Sequence, residues 1–398
     1  MRPLSLLLVL AAACAAQEWT QWRGPGRDGV VPAFREPAAW PGKLNLKWRV
    51  KVGEGHSSPV VASGRIYLLT RLGDDEVVSC LRPENGQIVW QERYPAPYQM
   101  NPAAMRHGKG AKSTPLVHDG RLFTVGIAGA LSSFDAATGK LHWRKQFAPP
   151  LYGTAMSPLA DAGRVVAHVG GRQGGLIAFD AATGAARWNW NGDGPAYASP
   201  VIAGIGGVRQ VVTQTENHVV AVSAASGELL WRMPFRTAYD QNSVTPLLAG
   251  DALILSGLNN GVTAVRPALR GGKWVAQTVW HNPDVAMYMS SPVLVGDGVI
   301  GLSHRNKGQY FCLDARTGAV RWTSEPRQGD NAAILKAGPV LLLLNTDAEL
   351  TVARTGARGL EAVRKYTVAD SPTWAHPAIV GRGILIKDAA NLALWTFE

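Results

Sequence analysis

Cysteine is scarce in this sequence: 398 residues contain three, at positions 14, 80 and 312. Cys14 lies in the apolar segment that opens the chain, which leaves Cys80 and Cys312. Two cysteines cannot supply the disulfide framework of a small exported domain. No CxxC, CxxCH, HxxxH or HxH spacing occurs, so zinc ribbons, covalent haem and histidine metal sites have no motif behind them.

Charge and long apolar runs are also limited. Charged residues make up 17% of the chain and hydrophobic residues 46%, which excludes a disordered or acidic-tail protein. No stretch reaches 18 apolar residues, and the 3.6-residue periodicity of helical bundles is missing. The net charge is +11, but the arginines are scattered. We therefore interpret the charge as a solvated basic surface and expect no nucleic-acid partner.

The first 16 residues have the pattern of an export signal. Arg2 is followed by an apolar run at residues 4–11 and by small residues at 12–16. We expect the mature chain to begin near Ala16 or Gln17, and the protein to be periplasmic, associated with the outer membrane or secreted. An alternative is lipidation at Cys14, which would add peripheral membrane association. The residue three before it is Ala11, where lipoprotein signals prefer leucine.

A repeated phrase decides the fold class. Residues 133–143 read SFDAATGKLHW, and related phrases end at four other tryptophans of the chain. Weaker copies end at Trp280 and Tyr366. The closing aromatics recur every 42 to 53 residues, a period typical of β-propellers. They are Trp48, Trp90, Trp143, Trp188, Trp231, Trp280, Trp322 and Tyr366.

The phrase itself has a structural interpretation. Its aspartate can accept N–H groups of its own turn, its glycine supplies a positive φ, and its tryptophan can lie against a neighbouring blade. A Ser/Thr-Pro pair precedes most phrases and suits the start of a strand. The structural positions are Asp135, Gly139, Trp143, Asp180, Gly184, Trp188, Gly227, Trp231, Asp314, Gly318 and Trp322.

These units predict an all-β chain: an eight-bladed propeller of four-stranded antiparallel blades. Only three strands follow Tyr366, whereas residues 44–50 form a lone strand that carries Trp48. We expect this strand to complete the last blade, so that the N- and C-terminal strands close the ring. The predicted organisation is a signal peptide at 1–16, an arm at 17–43 and the propeller at 44–398.

The A-x-D-x-x-T-G-x-x-x-W phrase resembles the pyrroloquinoline quinone (PQQ)-like β-propeller repeat family over essentially the whole mature chain. One branch of that family contains quinoprotein dehydrogenases, which use PQQ and calcium. Another contains non-catalytic scaffolds such as the outer-membrane assembly lipoproteins of the BamB type. The dehydrogenases carry two adjacent cysteines and long insertions, which this sequence lacks. Its length and blade count resemble the scaffold branch.

The resemblance implies a non-catalytic, monomeric envelope scaffold without cofactor or metal. Its partner would be an envelope protein or peptide, and an outer-membrane assembly component is one candidate. A divergent PQQ- and calcium-dependent oxidoreductase is the alternative. A carbohydrate-binding propeller, suggested by the aromatic residues alone, is a third and weaker interpretation.

The candidate site lies in the loops between strands D and A and between strands B and C, which leave a propeller on one face. A funnel lined by their aromatic, amide and basic side chains would suit a planar or anionic ligand or a peptide. A wet channel mouth without a ligand is the structural alternative. The candidates are His56, Lys112, Tyr152, Tyr197, Asn242, Tyr288, His304, Arg305, Asn331, Trp374 and His376. Arg172, Asn217, His218, Asn260 and Lys387 are further B-to-C loop residues. The basic, proline-rich insertion at 91–112 could cover the funnel or bind a partner, although a plain surface loop is as plausible.

Overall fold

A computed structural model describes residues 18–398 of the chain. The predicted signal peptide and Cys14 lie outside the described residues. Within the described part, no helix is long and apolar enough to cross a membrane. Residues 18–398 contain four short 3-10 helices, at Pro102–His107, Gly171–Gln173, Ala238–Asp240 and Arg305–Lys307.

Eight four-stranded antiparallel blades make up the described propeller. In seven of them strands A to D follow chain order, and in the eighth strand D comes from the start of the chain. This confirms the predicted fold class. Blade 1 consists of β3 (Val60–Ala62), β4 (Arg65–Leu72), β5 (Asp75–Leu81) and β6 (Ile88–Pro95), and blade 2 of β7 (Leu116–His118), β8 (Arg121–Val125), β9 (Ala130–Asp135) and β10 (Leu141–Gln146). Blade 3 consists of β11 (Leu159–Asp161), β12 (Arg164–Val169), β13 (Gly175–Asp180) and β14 (Ala186–Trp190), and blade 4 of β15 (Val201–Ile205), β16 (Val208–Gln214), β17 (His218–Ser223) and β18 (Leu229–Pro234).

Blades 5 to 8 continue the series, and the last borrows one strand from the start of the chain. Blade 5 consists of β19 (Leu247–Ala249), β20 (Ala252–Ser256), β21 (Val262–Arg270) and β22 (Lys273–Asn282), and blade 6 of β23 (Val293–Val295), β24 (Gly298–Ser303), β25 (Gln309–Asp314) and β26 (Val320–Thr323). Blade 7 consists of β27 (Ala332–Ala337), β28 (Val340–Asn345), β29 (Glu349–Gly356) and β30 (Gly359–Thr367), and blade 8 of β31 (Ala378–Val380), β32 (Gly383–Lys387), β33 (Asn391–Thr396) and β2 (Asn45–Lys51).

The ring is closed by the two ends of the chain. Strand β2 pairs antiparallel with β33, from Asn45 opposite Thr396 to Lys51 opposite Asn391. Blade 8 therefore obtains its outer strand from residues some 350 positions away, as the lone Trp48 strand predicted. Closure in this way leaves no blade with a missing strand.

Tryptophan and glycine join neighbouring blades. The indoles of Trp48, Trp90, Trp143, Trp188 and Trp280 each lie on the glycine of the C-to-D turn in the next blade. A Cβ added to any of these glycines would come within 3.0 Å of the ring; they are Gly86, Gly139, Gly184, Gly227 and Gly318. Each indole N–H also donates to a carbonyl three residues before that glycine, at 2.8 to 3.2 Å. The expectation that these rings lie against a neighbouring blade is confirmed.

The joint changes where the next blade lacks the phrase. Blades 5 and 7 have long C-to-D hairpins instead, so Trp231 donates to the Gln210 side chain of its own blade at 2.8 Å. Tyr366 of blade 7 faces blade 8 and donates its hydroxyl to the Pro41 carbonyl at 2.7 Å. Five of the eight interfaces therefore use the Trp–Gly joint.

The aspartate of the phrase holds its own turn, as predicted. Asp135 Oδ1 accepts from the Thr138 N–H and hydroxyl, both at 2.8 Å. Asp180 and Asp314 make the same contacts with Thr183 and Thr317. These hydrogen bonds hold the pKa of each carboxyl below its usual range; for Asp180 and Asp314 an arginine is the first cause. The three aspartates are therefore structural anions.

The N-terminal arm crosses the central channel. Strand β1 (Val30–Val31) joins blade 7 as a fifth strand, parallel to β27. Nearer the start of the arm, Trp19 pairs with Val61 of blade 1, and Thr20 accepts from the Val117 N–H of blade 2. The arm thus contacts blades on both sides of the axis.

Two buried arginines anchor this arm. Arg23 donates to the Pro292 carbonyl of blade 6, and Arg27 donates to the Ser157 and Pro158 carbonyls of blade 3 at 3.0 and 2.8 Å. They are 1% and 4% exposed. Burial lowers their pKa values to about 10 and about 9, so both guanidinium groups stay charged at neutral pH. Because they contact blades 6 and 3, the arm itself occupies the channel between these blades.

The Ser/Thr-Pro pairs do more than start strands. Their hydroxyls accept N–H groups from neighbouring blades around the axis: Thr114 N–H donates to Ser157 Oγ and Ser157 N–H to Ser199 Oγ, both at 2.9 Å. His376 N–H donates to Ser58 Oγ at 2.9 Å and so links blade 8 to blade 1. These side chains therefore connect neighbouring blades at the inner rim. The sequence pattern predicts only that the Ser/Thr-Pro pairs begin strands.

The Trp–Gly joint can be tested with two glycines of nearly equal backbone conformation. Gly318 has φ +74° and lies under Trp280, whereas Gly120 has φ +70° and has no atom within 4 Å of an added Cβ. We expect Gly120→Ala to cost about 1 kcal/mol in free energy of unfolding, the cost of a left-handed alanine. Gly318→Ala should cost a further ~1–3 kcal/mol for the displaced indole.

Urea denaturation of both variants and the wild type measures the difference. Equal destabilisation would show that the left-handed backbone conformation alone accounts for the recurring glycine, and that the contact with the indole ring contributes nothing to stability.

Candidate funnel site

The face that carries the D-to-A loops opens into a cavity of about 470 Å³ near the propeller axis. Eight of the predicted candidates line it: His56, Lys112, Tyr152, Tyr197, Tyr288, Asn331, Trp374 and His376. They come from seven different D-to-A loops, because each blade presents the same loop to the axis. The structure therefore brings these scattered positions together in one place.

Three other candidates lie outside the cavity. Asn242 is fully buried and donates to the carbonyls of Thr215 and Phe235 at 2.7 and 2.9 Å. Arg305 donates to the carbonyls of Pro283 and Asp284. His304 contacts the Tyr288 ring, with 6.3 Å between centroids. These side chains support the loops behind the cavity wall.

The B-to-C loops brace the D-to-A loops on this face. Asp193 accepts from the Asn217 side chain at 2.7 Å and lies 2.9 Å from the His218 ring nitrogen Nδ1. The buried ammonium of Lys387 donates to the Gly55 carbonyl at 3.1 Å. Arg172 pairs with Asp240 at 3.5 Å. Asn260 donates to the Arg236 carbonyl. The two loop sets therefore share a face, as predicted, and the B-to-C set acts as a support.

The arm supplies the floor of the cavity through Trp22. Its indole N–H donates to Thr245 Oγ1 at 2.9 Å, and its ring centroid lies 4.4 Å from that of His376. Trp22 directly precedes Arg23, whose anchoring in the channel fixes the backbone beneath the site. Sequence analysis had treated the arm as separate from the site, since no local pattern indicates that it folds back into the ring.

The proline-rich insertion covers one side of the cavity. Its 3-10 helix, Pro102–His107, begins at Asn101, whose side chain accepts the Ala103 N–H at 3.0 Å. Arg106 and His107 from this helix line the cavity. The His107 ring lies 4.7 Å from Trp374. This segment thus lies over the funnel, one of the two roles that its sequence suggested.

The cavity is positive and has no internal counter-charge. Among the described residues that line it, none is aspartate or glutamate. The Lys112 ammonium donates to the Tyr152 carbonyl at 3.2 Å, and burial lowers its pKa to about 8. Arg106 lies 5.9 Å from the Trp374 ring centroid and is exposed. At neutral pH the site therefore holds two cations.

The histidines of the cavity are neutral. Burial, with the nearby positive charge of Lys387, lowers the pKa of His56 to about 3. Burial lowers that of His107 to about 4, and that of His376 falls well below its ordinary value. Each neutral imidazole offers one donor and one acceptor. They are hydrogen-bonding groups here and add no charge.

Tyrosines form the opposite wall. The Tyr197 hydroxyl accepts the Tyr152 N–H at 3.0 Å, and their rings lie 6.1 Å apart. Tyr288 donates its hydroxyl to Gln241. Burial raises the pKa of both Tyr197 and Tyr288, so these phenols stay protonated. Tyr239 is 68% exposed and stands at the rim.

The donor set does not fit PQQ bound with calcium. Calcium takes oxygen ligands with carboxylates among them, and the described lining residues contain none. No cluster of three metal-ligating side chains exists in the described part of the chain. Cys80 and Cys312 are buried in blades 1 and 6 and are both free, so they do not form a cysteine pair beneath a cofactor.

Comparison with known proteins places the chain in a family. Residues 73–324, well over half of the chain, match the family model described as outer membrane protein assembly factor BamB. The chain belongs to this family. A crystal structure of BamB from Moraxella catarrhalis superposes with a TM-score of 0.65, covering 89% of this chain and 98% of that one. The two are 15% identical, so the superposition supports the fold alone.

Curated relatives include both a BamB protein and an enzyme. Over 140 residues the chain is 29% identical to outer membrane protein assembly factor BamB of Yersinia pestis, covering 35% of this chain and 33% of that protein. Over 329 residues it is 25% identical to polyvinylalcohol dehydrogenase of a Sphingopyxis species, covering 80% and 41%. The chain thus spans between a third and two fifths of the length of these relatives.

The neutral buried histidines predict a stability that depends on pH. Unfolding exposes them to water, where their pKa is about 6.5, so the unfolded chain binds more protons below that value. The free energy of unfolding should fall as the pH drops from about 6.5 towards 4. His376→Gln should reduce that slope by up to about 1.4 kcal/mol per pH unit.

Urea denaturation at pH 7, 6 and 5 measures these slopes. His142, exposed on β10, provides the control, and His142→Gln should leave the slope at its wild-type value. An unchanged slope in His376→Gln would show that this imidazole binds a proton as readily in the folded protein as in the unfolded chain.

Proposed function

We propose that this BamB-family propeller is an exported, non-catalytic scaffold of the cell envelope. It binds an envelope protein partner, with an outer-membrane assembly component as the candidate, through the funnel face. The role for which its BamB relatives are named, outer membrane protein assembly, supports the class of partner. We further propose that the scaffold acts as a monomer in the periplasm or at the outer membrane and needs no cofactor.

One observation carries this proposal: the funnel is a formed cavity with binding groups and no catalytic arrangement. Its floor is closed by the arm, and its walls are aromatic, amide and basic. A serine or threonine nucleophile is activated by an adjacent general base. In the described structure, no hydroxyl that lines the cavity is hydrogen-bonded to a histidine ring. The described lining therefore offers groups that bind a partner and contains no hydroxyl nucleophile with an adjacent histidine base.

The repeat framework supports the choice of face. The C-to-D turns repeat the same aspartate, threonine and glycine contacts in several blades, so they present similar surfaces around the ring. The funnel loops differ from blade to blade, and recognition in repeat proteins is carried by the positions that vary. A specific partner is therefore expected on the funnel face.

A quinone-dependent oxidoreductase remains the second candidate, favoured by the similarity to polyvinylalcohol dehydrogenase over 80% of the chain. Incubation with PQQ and calcium, followed by dye reduction with alcohols and sugars as substrates, separates the two functions. We expect no turnover above the level of the cofactor alone, because the cavity lacks carboxylate ligands. Sustained turnover would overturn the scaffold proposal.

The scaffold proposal predicts that funnel variants lose the partner and keep their fold. Tyr288→Ala and His56→Ala should each reduce capture of the partner from native envelope extracts at least fivefold. Their melting temperatures should stay within a few degrees of the wild type. Arg187→Ala, on the opposite face and exposed, is the matched control and should capture normally.

Trp143→Ala provides the converse case. It removes a ring of an interblade joint and should cost roughly 3–5 kcal/mol of stability, with capture by the remaining folded protein unchanged. Normal capture by both funnel variants together with loss of capture in Arg187→Ala would place the working face on the C-to-D side.

A further inference from the structure

We propose that the funnel binds an acidic segment of a polypeptide, with a carboxylate of that segment held between Lys112 and Arg106. The inference rests on the proposed scaffold function and names the chemistry that the partner presents to the site. It also predicts that Lys112 and Arg106 recognise the partner and that Lys109, in the same loop, does not.

The first argument is the missing counter-charge. Lys112 is half-buried, and its hydrogen-bond partner in the described structure is the Tyr152 carbonyl. A buried cation without an anion is unfavourable because desolvation is not offset by pairing. Elsewhere in the fold, the buried ammonium of Lys387 is compensated by three carbonyl acceptors, those of Gly55, Asp388 and Ala389. Lys112 has one such acceptor in the described structure, and a carboxylate from outside would accept its two remaining N–H groups.

The second argument is the supply of neutral donors around the cation. His56 and His107 line the cavity with Lys112, and His376 does so from the floor. The His376 Nδ1 atom is buried and has no hydrogen-bond partner in the described structure. A carboxylate has two oxygens that accept about four hydrogen bonds. The cavity offers a cation together with neutral hydrogen-bond donors, and a carboxylate can use both. A neutral ligand would leave the charge of the cation uncompensated.

The third argument concerns size and shape. A volume of about 470 Å³ lies in the range of sites that enclose small ligands, ~300–1,000 Å³. It takes a short segment of chain and excludes a folded domain. Aromatic rings surround the cations, and Tyr239 and Met105 are exposed at the rim, at 68% and 66%. Apolar groups that flank a central charge favour a peptide with aromatic residues beside its acid.

The whole-protein charge points in the same direction. A net charge of +11 attracts an acidic partner at long range and raises its association rate at low salt. The funnel then provides the short-range contact. Free small carboxylates share the local chemistry, and the experiment below therefore includes one.

Isothermal titration calorimetry with synthetic peptides tests the proposal. The first probe is an amidated hexapeptide of alternating aspartate and phenylalanine, and the second replaces each aspartate by asparagine. We expect the acidic peptide to bind at least tenfold more tightly than its amide counterpart, and its affinity to fall between 50 and 200 mM salt. Benzoate, a free carboxylate, should bind at least tenfold more weakly than the acidic peptide.

Lys109 supplies the matched control, because it belongs to the same loop and is exposed. Lys112→Met should weaken the acidic peptide at least tenfold, whereas Lys109→Met should leave its affinity within twofold. Arg106→Met should also weaken binding. Because Arg106 is exposed, this variant tests the site even if Lys112→Met fails to fold. Melting temperatures of all three variants are measured alongside.

The pH dependence separates charge from packing. With a pKa of about 8, Lys112 in the free protein is mostly neutral at pH 9.5, so wild-type affinity should be lower there than at pH 7. Arginine stays protonated, so Lys112→Arg should bind nearly equally at both values. The neighbouring imidazoles of His56 and His107 have pKa values of about 3 and about 4 and do not titrate in this range. The Lys387 ammonium beside His56 has a pKa of about 8 and is unchanged in Lys112→Arg, so a loss of affinity that arises from Lys387 would persist in that variant.

Several outcomes would overturn the inference. They are equal affinity for the acidic and amide peptides, equal loss in Lys109→Met and Lys112→Met, and binding of benzoate as tight as that of the peptide. Capture of the envelope partner that survives Lys112→Met would also contradict the inference while leaving the scaffold function standing. Conversely, tight acidic-peptide binding together with failure to capture any envelope partner would contradict the scaffold function alone.

Discussion

The contact between a tryptophan and the glycine of the next blade is the constraint on which the rest of the structure depends. The indole fills the space that a side chain on the turn would occupy, and its N–H binds a carbonyl three residues earlier in the same turn. One ring therefore fixes both the distance and the rotation between two blades. Repetition of this joint at five interfaces sets the curvature, and the borrowed strand β2 closes the circle.

The Trp–Gly joints connect neighbouring blades at their outer strands, and serine hydroxyls connect them at the inner rim. Because the joints lie on the outer, C-to-D side, the D-to-A loops are free to differ from blade to blade. The arm makes use of this arrangement. Its arginines bind carbonyls of blades 3 and 6 across the channel, and Trp22 then becomes the floor of the funnel. The site is thus assembled from loops of the framework and from a segment that precedes it in the chain.

The fold was predictable from the sequence because its determinants are local and repeated. Aspartate, glycine and tryptophan stand at fixed spacing, and the lone Trp48 strand could be matched to the three-stranded end of the chain. The pairing of each indole with the next blade's glycine was only partly visible, since the phrase shows a glycine and a tryptophan of the same blade. The hydroxyl contacts at the inner rim could not be predicted in the same way. The proline beside each hydroxyl already accounts for the Ser/Thr-Pro pair as the start of a strand, so the sequence gives no separate sign of an interblade hydrogen bond.

The site was predicted less completely. Topology alone placed His56, Lys112 and Trp374 on one face, and the structure brings them to one cavity. Asn242 and Arg305 belong to the same loops, but their side chains turn to nearby carbonyls, a choice that depends on tertiary contacts and not on spacing. Trp22 could not be predicted at all, since nothing in the arm's sequence shows that it returns to the axis.

The central claim is that the funnel face holds the partner, and site-specific photo-crosslinking tests it most directly. A photoreactive phenylalanine analogue is placed at Tyr239 on the funnel rim in one variant, and at Thr138 on a C-to-D turn in another, with irradiation in the native envelope. The account predicts a discrete crosslinked product from position 239 that is lost with Lys112→Met, and none from position 138. A discrete product from position 138 alone would contradict it.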